Sequence, residues 1–239
     1  MDAFLYNLVV EFKIDLRNRG VLLTYYVVPL AFFAFMGGIF SSINPASKET
    51  LIQSMTVFGV TMGAVLGTPT KLVELFRSDV KKSYVVGGIP LWTAVVNNCL
   101  SGFAHLFIMS TIILLAAPAA FGAAAPGNLV VFFLSLAVFL IATLSTGAVL
   151  GVFINSSSRL TILSQVIFLP SVMLSGIMFS PDLLPDTLAE AGRVLPATWG
   201  FKAMVADTVH LSTTWPLLII TTVCLVLVAW GLRLLQENE

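Results

Sequence analysis

Six apolar runs, at 21–40, 51–67, 91–117, 129–153, 160–179 and 215–235, dominate the chain and restrict what it can become. A hydrocarbon core about 30 Å thick needs roughly 20 apolar residues per crossing helix. Inside lipid each backbone amide and carbonyl must find its partner within the protein, which for single runs of this length means helix. The expected fold class is therefore all-α, a polytopic membrane protein with six transmembrane helices. Charged residues make up only 10% of the chain and fall in short clusters between the runs, whereas soluble domains carry about 25%. With 58% of residues hydrophobic, no soluble core could hide the apolar surface, and residues 1–239 read as a single transmembrane domain.

An even number of spans puts both termini on one side, and Lys and Arg mark the cytoplasmic flanks. Lys13, Arg17, Arg19, Lys71, Arg77, Lys81, Lys82, Arg159 and Arg233 fall on the side of the termini, and Lys48, Arg193 and Lys202 on the other. Nine against three predicts cytoplasmic termini in a multi-pass protein of the cell membrane. Trp92, Trp215 and Trp230 fall at span ends, where amphipathic rings prefer the interface.

Two segments outside the spans have character of their own. In 1–20, Phe4, Leu5, Leu8, Val9, Phe12 and Leu16 are assigned to one helical face and Asp2, Asn7, Glu11, Lys13, Asp15, Arg17 and Asn18 to the other. Such a helix is expected to lie in the cytoplasmic interface, the alternative being a plain extension of the first span. The external segment 180–211 follows Pro170, Ser175 and Gly176 and contains Pro181 and Pro185, so regular helix cannot satisfy all its backbone groups. Thr187 and Glu190 have capping-box spacing, and Leu184, Leu188 and Leu195 are candidate buried positions. A broken or re-entrant short helix is expected there, against the alternative of a kinked helix and a loop.

The chain carries no phosphate loop, dinucleotide fingerprint, zinc-binding His pair or nucleophile elbow. Cys99 and Cys224 sit in apolar runs, and His105 and His210 stand apart without acidic companions in sequence. No catalytic or metal site is expected, nor any cofactor on this chain. Basic residues are not interleaved with aromatics, which argues against nucleic acid as a partner. Ion-coupled carriers keep ionisable groups within their spans; here only His105 could titrate in mid-run. Any uphill work must then be powered from outside the membrane.

The place for that power to enter is the segment 71–90, KLVELFRSDVKKSYVVGGIP. Glu74, Arg77, Asp79, Lys81 and Lys82 supply both signs, with Glu74 to Arg77 at i, i+3 and Arg77 to Lys81 at i, i+4 on one expected helical side. Gly87, Gly88 and Pro90 would end that helix before the third span. A docking helix for a partner and a solvated loop are both open on these residues. Gly59, Gly63 and Gly67, and Gly147 and Gly151, have the spacing that lets helices approach closely, for packing within the chain or for a dimer seam. Asn97, Asn98, His105 and Gln165 are polar groups within spans that could line a substrate path or bond between helices.

In the order of these parts the chain resembles the ABC transmembrane type-2 permease family: amphipathic helix, two spans, charged coupling loop, three spans, broken external segment, final span. The resemblance is anchored by the charged run from Glu74 to Lys82 ahead of Gly87 and Pro90, and by LPATWGFKAM at 195–204. Ser78 stands after Arg77 where the family tends to carry Gly. The resemblance implies an exporter permease working in the lipid bilayer. A second permease copy, identical or related, and separate cytoplasmic ATP-binding subunits would be its partners, the latter holding ATP and Mg. It also implies an amphipathic or lipid-like cargo, such as a drug, antibiotic, lipid or glycan. A secondary carrier or channel without an ATPase, and a non-transporting scaffold, are the competing readings.

Overall fold

A computed structural model describes residues 2–43, 45–178 and 184–237. Among these the chain is helical, without strands. Helix α1 spans Asp2–Arg17. The Asn18 side chain then accepts hydrogen bonds from the backbone N–H groups of Gly20 and Val21, at 2.9 and 3.4 Å, opening α2, Arg19–Ser42. After a short 3-10 turn at Pro45–Glu49 come α3, Leu51–Arg77, and α4, Asp79–Val86. The long helices α5, Leu91–Phe121, α6, Leu129–Phe153, and α7, Ser157–Leu174, follow. Two short helices, α8 at Asp186–Gly192 and α9 at Pro196–Val205, precede α10, Leu211–Glu237. Among the described residues six helices are long and apolar enough to cross a membrane: α2, α3, α5, α6, α7 and α10.

The expected six spans are present, with their ends adjusted. The second continues past Gly67 to Arg77 and is the most buried of the six. It is the axis of the bundle, packed on by α2, α5, α6 and α7. A row of rings marks its place: Phe58 stacks on Phe32 of α2 at 3.8 Å and meets Phe168 of α7 edge-on at 5.6 Å. Span five begins at Ser157 and its helix runs through Pro170 to Leu174 before Gly176 turns the backbone at φ +92°. Phe179, Pro181 and the rest of 179–183 lie outside the described residues.

Two turns of the bundle are widened to π geometry, Leu23–Val27 in α2 and Gly63–Gly67 in α3. Each ends two residues before a proline, Pro29 or Pro69. A proline inside a helix has no N–H for the carbonyl four residues back, and its ring crowds that carbonyl. A widened turn is one way to absorb the mismatch. The two π turns pack against each other, with Tyr25 between them, so a side chain at Gly63 or Gly67 would strike the Tyr25 ring. Across the axis, a Cβ at Gly147 of α6 would run into the carbonyl oxygen of Ala64, and one at Gly151 would meet Leu72 at 2.7 Å. Gly59 faces Met109 of α5. All five glycines thus bring helices of this one chain together.

Between α7 and α10, Pro185 occupies the N-cap position of α8, which starts at Asp186 without a side-chain cap. The expected capping box of Thr187 and Glu190 is therefore not formed. Leu184 and Leu195 are half-buried, but Leu188 is exposed. Helix α9 turns back on the bundle, burying Pro196, Ala197, Thr198, Gly200, Ala203 and Met204 against α3, α6 and α10. The Ser135 hydroxyl of α6 donates to the carbonyl of Ala203 at 3.0 Å.

The backbone contact at Gly147 leaves no room for adjustment, because the obstacle is a carbonyl rather than the end of a side chain. Gly147→Leu should destabilise the chain by about 1–3 kcal/mol or more, seen as a lower melting temperature in detergent. Gly38→Leu, where nothing lies within 4 Å, should leave it unchanged.

Candidate functional site

The charged segment starts within α3. Glu74 and Arg77 are exposed on its last turns, and the helix then breaks at Ser78, whose backbone is extended at φ −89°, ψ 168°. The Ser78 hydroxyl accepts from the Val80 N–H at 3.3 Å as α4 begins. The break falls between Arg77 and Lys81, so the expected i, i+4 relation between them does not exist. Lys81 is half-buried and Lys82 exposed on α4, while the side chain of Asp79 lies outside the described ones. Gly88, at φ +65°, closes α4, and Pro90 opens α5. Phe76 and Tyr84 pack onto an apolar cluster of Leu72, Leu91, Val95, Val152 and Leu232. Helix α4 is therefore seated on the bundle rather than hanging from it.

Next to this segment lies a buried ionic cluster. The carboxylate Oδ2 of Asp15, on α1, accepts from Lys71 Nζ of α3 at 2.6 Å and from Ser101 Oγ of α5 at 2.5 Å. Asp15 is 2% exposed and Lys71 12%. Glu11 Oε1 stands 3.8 Å from the same ammonium, and His105 Nε2 lies 3.8 Å from Asp15. The His105 ring stacks on Phe12 of α1 with centroids 4.2 Å apart and planes 6° from parallel. Its Nδ1 shares a hydrogen bond of 2.8 Å with the Tyr26 hydroxyl, and the Tyr25 hydroxyl pairs with Thr68 at 3.1 Å. Four helices, α1, α2, α3 and α5, are joined there. Taking two charges from water costs several kcal/mol each, repaid only when partners and hydrogen bonds meet them; Lys71, Ser101 and Asp15 meet that condition.

The burial of Asp15 corrects the assignment of the two faces of α1. Asp15 follows Leu8, Glu11 and Phe12 at i+7, i+4 and i+3, and residues at those spacings share a helical side. That side faces α5, while Tyr6, Val9, Ile14 and Leu16 are exposed. It also supplies His105 with the acidic neighbour that the sequence around the histidine lacks. Neither Asp15 nor Lys71 stood out in the sequence; the spacing of Asp15 was the signal that could have found it, and Lys71 had none.

The polar residues of the spans are not all gathered in one place. Asn97, Ser101 and His105 repeat every fourth residue along one side of α5. Asn98 donates to the Thr68 carbonyl at 3.1 Å. Both amide atoms of Asn97, Oδ1 of Asn98 and Nε2 of His105 are buried without a hydrogen-bond partner. Gln165 stands apart from them, exposed on the outer side of α7. Among the described residues no group of three or more His, Cys, Asp or Glu gathers as a metal site would require.

Burial pushes the Glu11 carboxyl above its ordinary value of 4.5; the Lys71 charge opposes this and Asp15 adds to it. A raised value in the docked state means that docked α1 binds the proton more tightly than released α1. Docking therefore weakens as pH rises from about 4.5 through the raised value. Glu11→Gln should flatten that fall, measured as protease cleavage of α1 against pH. Asp15→Asn or Lys71→Met alone strands a buried charge and should cost about 3–5 kcal/mol, while the double variant should cost clearly less than the sum, measured by unfolding in detergent.

The family model described as ABC-2 type transporter matches residues 2–207, from α1 to beyond the end of α9. No curated protein matches the chain. With a match over most of its length and six helices fit to cross a membrane, the chain belongs to the ABC-2 type transporter family, as the membrane-spanning permease of an ABC transporter.

Proposed function

We propose that the chain is one of two permeases in an exporter driven by separate cytoplasmic ATP-binding subunits, which carry ATP and Mg, and that α4 with the end of α3 is where they push. The observation that carries this reading is the continuity of α3. The most buried helix of the bundle stays helical, through its one widened turn at Gly63–Gly67, into the exposed charges Glu74 and Arg77, and α4 follows at once. Force applied at that end reaches the centre of the bundle through one rod. Lys71, six residues before Arg77, passes it sideways to Asp15 of α1, whose carboxylate also accepts from Ser101 of α5. On this reading α4 and both termini are cytoplasmic, in keeping with the basic residues that flank the spans on that side.

A second copy would cover the outer face of α7. Gln165 lies there among exposed Ile162, Leu163, Val166 and Leu169, and an amide left in hydrocarbon without a partner is costly. The cargo suited to walls so poor in charge is amphipathic or lipid-like, such as a drug, antibiotic, lipid or glycan.

The test is purification from the native membrane. An ATP-binding subunit should come with the chain, and a photocrosslinker at Glu74 or Lys82 should join the two. Reconstituted together they should export cargo with ATP and keep doing so when a protonophore collapses any gradient. One observation favours a second reading, a proton-driven carrier: His105 sits within a span beside Asp15. Transport by the chain alone, abolished by the protonophore and by His105→Ala, would establish that reading instead.

A further inference from the structure

Helices α5 and α10 both pack on α6 but hardly touch one another. Between them runs an apolar groove of about 360 Å³. Its floor is made of the buried residues Val95, Leu144, Ala148 and Val228, and its rims of the exposed Trp92 and Leu225. From Trp92 to Phe103 along α5 it measures about 16 Å at about 1.5 Å per residue. That is the depth of one leaflet, half of a hydrocarbon core about 30 Å thick. It opens at the end of the bundle that carries α1 and α4. There Trp92 and Trp230 stand exposed, as interfacial rings do. Arg233, one turn beyond the groove residue Ala229, is exposed. The groove lies on α5, α6 and α10, whereas the amide-bearing outer face belongs to α7.

We propose that this groove is a specific site for a membrane phospholipid. One acyl chain lies between α5 and α10, and the phosphate rests against Arg233. The length of the groove, its nearly unbroken apolar lining, the interfacial tryptophans and the cation at its open end all match such a molecule, with tail and headgroup at the right depths. A basic side chain at the membrane surface attracts anionic lipid, so an acidic phospholipid binds in preference to a zwitterionic one. The bound chain covers Cys99, which lines the groove, and keeps α5 and α10 at their spacing on α6.

The experiment is native mass spectrometry of the full chain, purified with any partner it carries, in mild detergent supplemented with phosphatidylglycerol or phosphatidylcholine. The wild type is expected to retain a single phospholipid per chain, with phosphatidylglycerol preferred. Ala229→Trp, at an exposed position that leaves the floor intact, should empty the site. Arg233→Gln should weaken retention of phosphatidylglycerol about fivefold and erase the preference. Leu218→Trp, also exposed on α10 but outside the groove, should change nothing. Alkylation of Cys99 by a small apolar maleimide should be slow with phosphatidylglycerol present and fast after delipidation. Equal lipid retention by wild type and Ala229→Trp would overturn the site. So would Cys99 forming a crosslink to a second copy, since another chain would then fill the groove. None of these readouts depends on ATP, so the permease reading stands or falls separately.

Discussion

A carboxylate withdrawn from water has to take its counter-charge with it, and Asp15 does so through Lys71. Around that pair the rest of this end of the bundle is arranged. Lys71 comes from the axial helix α3, Ser101 and His105 from α5, and Phe12 and Glu11 from the same helix as Asp15. The pair is formed by the first helix and the last turns of the second span. Neither helix can shift without separating two charges in a nearly dry space. In an exporter of the kind proposed, pushed at this end, a costly break is useful, because the stiffness lies where the force would arrive.

The axis itself is built for close contact. Glycines on α3 receive Tyr25 and Met109, and glycines on α6 receive Ala64 and Leu72. The two π turns interrupt the regular winding of α2 and α3 at neighbouring levels, just where the ionic cluster begins. Widened turns keep their hydrogen bonds while shifting register, so a helix can carry a proline without losing its continuity. The result is a central helix, α3, that carries one widened turn and is the most buried of the six. Its charged end and its buried middle belong to one element, the continuity on which the proposed role as a lever depends.

The spans were legible because apolar length is a nearly sufficient signal in a chain that must satisfy its backbone in lipid. The extension of α3 was not. Thr68 to Arg77 is only half apolar, and its helicity comes from packing Leu72 and Val73 against the bundle. Sorting α1 by polarity put Asp15 on the wet side, although its spacing from Leu8 and Phe12 placed it with them. The cluster joins residues separated by 56 and 86 positions, and no local pattern announces such a meeting. The break at Ser78 was hidden for a related reason: the charges around it have helical spacing, and it takes the extended backbone of Ser78, with its hydroxyl accepting from Val80, to show that a new helix starts there. Gln165 was visible as a polar residue within a span, but its outward direction depends on which side of α7 packs.

Everything asked of α3 as a lever requires its charged end to face the compartment that holds ATP. Substitution of Glu74 by cysteine, in a chain whose own two cysteines are replaced by serine, measures this directly with a membrane-impermeant maleimide. The thiol should be unreactive in intact cells and label readily in inverted membrane vesicles. Labelling from the outside of intact cells would put the lever on the wrong side of the membrane and contradict the role given to it.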